Sequence, residues 1–335
     1  MTPVVTIGIP VYKRLSYLPH VLQSVAGQDY AHIELIVSDN GLNGTKVRDI
    51  VNQCYRRPYT FRQNAQTVTL PAHYSQLLRA ASGDYFVWLC DDDLISSNFV
   101  SELVCILELH PEVIVAVAKQ EIIDTSGRVV RRSSEQVPDF LPGEDFIRAW
   151  TTYKFENYAT VLARTCDIKR YGGFGDFPRG TASDDALLIK LSLNGTVAFS
   201  KECTFQYRWH ETSHGFSISL RQLAEDYGYF LSFLDSDQVI LAYARQKPEL
   251  WTELKRSLVT MTWKTYWERW YTLYRPRLSS LQWIRAAFYM PFIPAYYAAV
   301  LSIFFETSRG AIGSRVKNRL PWAYKLYQTF KHGTS

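Results

Sequence analysis

The chain has 335 residues, 47% hydrophobic and 21% charged, a balance that fits one large domain or a domain with an appendage and rules out disorder, collagen and coiled coil. Five cysteines (Cys54, Cys90, Cys105, Cys166, Cys203), an odd number with no CxxC pair, argue against a disulfide framework or a zinc site and suit a reducing cytosol. The net charge of +5 hides a split: residues 1–244 carry 22 Lys/Arg and 28 Asp/Glu, whereas residues 245–335 carry 15 and 4, with six of the nine tryptophans. That asymmetry predicts an acidic body followed by a basic, aromatic docking segment.

The opening MTPVVTIGIP runs straight into strand-like sequence, so no secretory signal is expected. Val4 to Ile9 is a β-branched run ending at Pro10, a buried strand. Tyr17 to Gln28 carries Leu18, Val21, Leu22 and Val25 at helical spacing. A second strand, 33–37, stops at the turn-rich Ser38-Asp39-Asn40-Gly41, and Lys46 to Tyr55 reads as a second helix. Residues 58–69 read as a third strand region and His73 to Ala81 as a third helix. Tyr85 to Leu89 is an apolar strand that runs into Cys90-Asp91-Asp92-Asp93. Alternating strands and helices predict an α/β fold with a wound, largely parallel sheet.

In such a sheet the ligand lies outside the carboxyl ends of the strands. Tyr12, Lys13 and Arg14, then Asp39 and Asn40, then Asp91 to Asp93 all fall there. Neither GxGxxG nor GxxxxGK[ST] follows the first strand, which argues against a dinucleotide dehydrogenase or a P-loop NTPase. Three adjacent carboxylates raise one another's pKa unless a cation neutralises them. Hard oxygen donors without a Cys/His cluster favour Mg²⁺ or Mn²⁺, shared with substrate phosphates, and such an ion would stabilise a departing diphosphate.

Four segments in order resemble a family 2 glycosyltransferase of the GT-A fold. Ile9-Pro10-Val11-Tyr12-Lys13-Arg14 is similar to that family's "IPTYNR", and Ile36 to Thr45 to its "VVDDGSTDGT". Ala80 to Asp93 is similar to "A.GdYi.flD.DD", and Ile123 to Arg128 has the character of a family hairpin. The resemblance spans roughly residues 4–217 and implies inverting transfer of a sugar from a nucleotide-diphosphate sugar, UDP first among the candidates, to an acceptor hydroxyl. It implies Asp39 near the base, with Pro10, Tyr12 and Arg14 lining the nucleotide pocket. Arg62 and Asn64 would supply further nucleotide contacts, and Asp91 and Asp92 would lie at the donor. For the metal it implies Asp93 with Asp91 as the D-x-D pair. In the alternative register Asp92 exchanges roles with Asp91, and Cys90 stands where the family often has its first acid. Asn43 replaces a common acid.

An inverting transfer needs a base within hydrogen-bond reach of the acceptor hydroxyl. Gly172 to Phe177 followed by Ser183-Asp184-Asp185-Ala186-Leu187 resembles the family's "GGF…ED.dL", a loop leading to the base on the first turn of a helix. By position Asp185 matches that base and Asp184 replaces the Glu beside it; helix capping is the bland account of both. Tyr207 to Ser217 resembles "YR.H..S.S", which implies Arg208 as a phosphate partner and His210 as a further metal or phosphate ligand. There is no GxSxG elbow for a serine hydrolase.

Downstream, Trp263, Tyr266, Trp267, Trp270, Tyr271 and Tyr274 form a stripe at helical spacing, interleaved with basic residues. Residues 286–305 are twenty uncharged residues broken by Pro291 and Pro294. This favours an interfacial or re-entrant hairpin on anionic lipid, with a transmembrane helix and a dimer interface as alternatives. The division expected is a catalytic domain over 1–220 and a helical membrane-docking region over 221–335. A membrane-docked transferase implies a glycan or lipid-linked glycan acceptor at the cytoplasmic face of a bacterial inner membrane, as in O-antigen or related polysaccharide assembly. Two alternatives of different class are a non-catalytic scaffold and a nucleic-acid binder using the basic tail; nucleic acid is not the partner expected, because the tail's charge surrounds an apolar stretch.

Overall fold

The computed structural model describes residues 2–132, 138–153, 161–210 and 218–274. The N-terminal half alternates β1 (Val5–Val11), α1 (Leu18–Ala26), β2 (Ile33–Asp39), α2 (Lys46–Cys54), β3 (Tyr59–Gln63), α3 (Leu70–Ala80) and β4 (Tyr85–Trp88). Then come β5 (Leu94–Ile95), α4 (Phe99–Leu109), β6 (Val113–Ile123), β7 (Val129–Arg132), β8 (Phe140–Pro142) and α5 (Gly143–Tyr153). The rest comprises β9 (Leu162–Arg164), α6 (Thr165–Arg170), α7 (Ser183–Ser192), β10 (Thr196–Arg208), α8 (Leu220–Ser236), α9 (Gln238–Gln246) and α10 (Pro248–Tyr274).

The strands make one sheet in the order β3-β2-β1-β4-β9-β6-β10-β5, with β7 on β6 and β8 on β10. β1, the most enclosed, is buried at every residue, as a parallel strand covered on both faces must be. It continues past Pro10 to Val11. The last β4 partner is Gly8, paired with Trp88, so Pro10 stands beyond that ladder and its missing N–H breaks no bond there. The 58–69 region forms only the short β3, because Thr67 Oγ and the Val68 N–H bond to Asn40 instead of extending a ladder.

Polarity across the sheet positions the site. β9 is antiparallel to both β4 and β6, and β10 is parallel to β6. The carboxyl end of β10 therefore emerges at the same edge as those of β1, β2 and β4. Arg208 is delivered to Asp93 by this double reversal.

One core lies between the sheet and α1, α2 and α4; the other lies against α3, α5 and α7. α7 has no polar stripe: Ala186 to Ser192 are all buried, as in a helix enclosed on all sides. Its Lys190 is 3% exposed, lies 3.7 Å from Asp237, and is pushed below the ordinary lysine range by burial. The C-terminal helices share this core, since Phe230, Leu234, Ile240, Tyr243, Trp251, Leu254 and Leu258 belong to the same cluster, and Lys190 meets Asp237 between α8 and α9. The core cluster crosses the expected division at residue 220, with residues of α8–α10 packed in it. Of the aromatic stripe, Trp263 and Tyr266 are buried, with Tyr266 packed edge-on against Trp263 and against Tyr227 of α8, while 286–305 lies outside the described residues. No helix among the described residues is long and apolar enough to cross a membrane.

Candidate functional site

The loops after β1, β2 and β4 meet α3 and the segment before α7 around a cavity of about 950 Å³. Pro10, Tyr12, Lys13, Arg14, Asp91, Asp92, Asp93 and Asp184 all line it. Cavities of this size accommodate extended small molecules.

Asp39 stands at the end of β2 with no solvent exposure, yet it is fully bonded. Oδ1 accepts from the Gly41 N–H (2.8 Å) and the Asn43 side chain (2.7 Å); Oδ2 accepts from the Asn43 N–H and the Gln63 amide, both at 3.0 Å. The Asn43 amide also donates to the Tyr12 carbonyl, and Gly41 packs so tightly there that a Cβ would lie 2.0 Å from that oxygen. Asn40 Oδ1 accepts from Asn64 (2.8 Å) and the Val68 N–H (2.9 Å). Asp39 and Asn64 therefore brace the floor behind the cavity and are not among its lining residues. Arg62 is exposed on β3 and does not line it either.

The acid triplet is held differently. Asp91 Oδ2 accepts the Tyr12 N–H at 3.2 Å, and Oδ1 lies 3.5 Å from Arg14. Asp92 Oδ2 receives Arg14 at 2.6 Å and His210 Nε2 at 3.0 Å. Asp93 Oδ1 accepts the Arg208 N–H at 2.8 Å. Arg208 is itself buried: Nε donates to the Asp92 carbonyl (2.8 Å), Nη1 donates to the Asp124 carbonyl (2.9 Å), and the guanidinium lies over the Tyr17 ring. His210 stacks on the same ring. Arg208 and His210 thus stand behind the triplet, as its scaffold, and not on the cavity wall.

These partners do not balance the charge. Burial, then the charge of Asp92, pushes the Asp91 carboxyl up to about 7. The same two causes hold Asp93 well above the carboxylate range, opposed by the Arg208 N–H. One ligand atom each from Cys90, Asp92 and Asp93 lies within 4.8 Å of the other two. Crowded, buried carboxylates short of positive charge are the donor set that a divalent cation relieves, so these residues fit such an ion. The geometry groups Asp92 with Asp93, while Asp91 turns to Tyr12 and Arg14.

Opposite the triplet, the chain from Gly172 to Ala182 has positive φ at Gly172, Gly173, Gly175 and Gly180, and at Ala182 (φ 61°) directly before α7. A left-handed alanine costs about 1–3 kcal/mol, a strain that concentrates at functional sites. Arg179 clamps this segment to α8 through Asp226 and Glu225, both at 2.9 Å. Asp184 reaches the cavity; Asp185, beside it, does not line it. Burial raises both carboxyls, with the charge of Asp184 adding to the rise at Asp185, while backbone N–H groups at the helix start oppose it at Asp184.

Sequence reading missed His73 and Tyr74 on α3, both on the wall. His73 is 4% exposed, bonded to Ser38 Oγ at 2.8 Å, and lowered by burial to about 4. A polar residue at an inward position of the α3 pattern was the available signal. Tyr17, under Arg208 and His210, left no local signal. Thr212 to Ser217 lie outside the described residues.

Residues 6–166 match the model described as Glycosyl transferase family 2. An uncharacterized glycosyltransferase of Rickettsia typhi is 24% identical over 241 residues, 70% of this chain and 72% of the relative. One of Rickettsia conorii is 29% identical over 130 residues, where the match spans 38% of this chain and 21% of that longer protein. Among solved structures, S. aureus TarS 1–349 in complex with UDP-GlcNAc superposes with a TM-score of 0.62 at 14% identity, over 99% of this chain and 92% of TarS. The complex of TarS with UDP gives 0.58 at 15% identity. The TarS likeness is one of fold, a mixed α/β, GT-A-like sheet with flanking helices. Over residues 6–166 the chain is thus similar to family 2 glycosyltransferases, and its architecture is that of TarS.

Proposed function

We propose that the protein is an inverting glycosyltransferase that moves a sugar from a nucleotide-diphosphate sugar to a glycan hydroxyl. The observation that carries this reading is the undercompensated triplet Asp91–Asp93 lining one cavity together with Asp184. The binding of UDP-GlcNAc and UDP by TarS makes UDP-sugars the first donors to test.

Tyr12, Arg14 and the Asn40 floor receive the nucleotide, and Arg14 orients both Asp91 and Asp92. Asp92 and Asp93 would hold Mn²⁺ or Mg²⁺, which supplies positive charge to the departing diphosphate. Asp184 faces the cavity and takes the proton of the acceptor hydroxyl; its raised pKa suits a base at neutral pH. Asp185, next to it, supports that first turn. Such a base contributes about 10²–10⁴-fold in rate.

The acceptor in this reading is lipid-linked, at the cytoplasmic face of a bacterial inner membrane, in assembly of O-antigen or a related polysaccharide. Support comes from the basic C-terminal quarter and the uncharged stretch 286–305. Pairing of two copies through that stretch is the alternative use of its apolar surface. Flotation with anionic liposomes, against sedimentation of the lipid-free protein, separates them.

The central test is a thermal-shift series with UDP, GDP, dTDP and CDP, each with Mn²⁺ and with EDTA. A true donor nucleotide raises the melting temperature, and does so only with the metal. Absence of any shift, together with an Asp93→Ala variant indifferent to metal, would overturn the reading in favour of a scaffold.

A further inference from the structure

Cys90 occupies the junction between β4 and the acid triplet, whose own metal-competent atoms are oxygens. It is half-buried, lines the cavity, and is a free thiol. Its sulfur is one of the three mutually close ligand atoms, with Asp92 and Asp93 as the others. Asp91, the other acid that could complete such a set, is committed elsewhere: Oδ2 takes the Tyr12 N–H and Oδ1 faces Arg14. Asp92 and Asp93 each commit one oxygen to the protein as well, to Arg14 and His210 in one case and to the Arg208 N–H in the other. A centre built on carboxylates alone therefore has two protein ligands among the described residues, and the sulfur is the third.

We propose that Cys90 is a ligand of the metal centre, making it a mixed thiolate–carboxylate site that selects Mn²⁺, Co²⁺ or Zn²⁺ over Mg²⁺. This rests on the reading of the triplet as a metal centre. Thiolate is a soft donor that strengthens binding toward zinc along the first-row series, whereas Mg²⁺ demands oxygen donors in near-ideal octahedral geometry. On binding, the cation replaces the thiol proton, which leaves for solvent. The Tyr74 hydroxyl, 3.2 Å from the sulfur, donates to the thiolate and fixes its direction. Tyr74 is in turn fixed by the Trp88 indole, which donates to its carbonyl at 3.1 Å.

The test is cobalt spectroscopy on the full chain with UDP present, in a background carrying Cys105→Ser and Cys166→Ser to remove the two exposed thiols. With Cys90 intact, added Co²⁺ gives a thiolate-to-cobalt charge-transfer band in the near ultraviolet. Cys90→Ser loses that band but keeps the weaker visible absorption of bound cobalt. Cys90→Asp exchanges the soft donor for a hard one, so Mg²⁺ displaces bound Mn²⁺ from it at lower excess than from the parent, read by the Mn²⁺ electron-resonance signal. Equal cobalt spectra with and without Cys90 would overturn the proposal and leave the metal-centre reading standing. Failure of every variant, the parent included, to bind Co²⁺ or Mn²⁺ would remove both.

Discussion

Asp39 and the Asp91–Asp93 triplet stand at the same edge of one sheet, both buried, with opposite electrostatics. Four donors converge on Asp39, from Gly41, Asn43 and Gln63, and hold its charge in place. The triplet receives Arg14, His210 and two backbone N–H groups for three carboxyls, and two of these are pushed up. Burial is common to both, so burial does not distinguish a brace from a binding site. What distinguishes them is how many hydrogen-bond donors reach each carboxylate, and whether another carboxylate crowds it. Asp184 and Asp185 fall on the undercompensated side of that line.

The largest expected effect tests that side. Asp184→Asn lowers kcat by about 10²–10⁴-fold and leaves donor KM nearly unchanged, measured by release of nucleoside diphosphate. If Asp185→Asn is the more damaging of the two, the base is the residue that does not line the cavity. Next comes the brace. Asp39→Ala orphans several donors and lowers unfolding free energy by about 3 kcal/mol in denaturant titration.

Asp91→Asn goes the other way. The Asp91 carboxyl titrates near 3.8 when unfolded and at about 7 when folded. The folded state therefore holds the extra proton, and stability present below pH 4 is lost as pH rises through 7. In EDTA, Asp91→Asn melts above the wild type at pH 8, and the gap closes at pH 4. A wild type equal to the variant at pH 8 would mean Arg14 already compensates the charge.

His73 gives a trend of opposite sign from the same wall. Its folded pKa of about 4 lies below the ordinary 6.5, so the fold loses about 3 kcal/mol as pH falls between those values. His73→Gln flattens that acid limb in a melting series. Smallest is Asn43→Ala, which removes one side-chain donor from Asp39 and costs about 1 kcal/mol. A loss as large as that of Asp39→Ala would show that Asn43, by also holding the Tyr12 carbonyl, carries the whole loop.

Much of the N-terminal half was legible because its signals are local. β1, β2 and β4 are short apolar runs stopped by turn residues, and the acids follow within a few positions. Which of the three acids meets which partner was not legible, because Asp91, Asp92 and Asp93 are chemically alike in sequence. Their division of labour comes from Tyr12, Arg14, Arg208 and His210, the last 118 residues from Asp92. In the C-terminal helices an aromatic stripe has the same spacing whether it meets lipid or another helix. Trp263 and Tyr266 are buried here, and residues of α8–α10 share the core that α7 joins.

By itself the sequence determined the alternation of strands and helices, the side of the sheet on which acids collect, and the family resemblance of the first half. Hydrophobic periodicity and turn chemistry act over a few residues, so they can be read before folding. Tertiary structure alone decided that Asp39 lies behind the cavity wall, that Cys90, Asp92 and Asp93 come close together, that Asp184 lines the cavity, and that the core includes residues past 220. Each of these depends on which distant groups supply counter-charge or cover an apolar face, and those distances are set by the folded sheet.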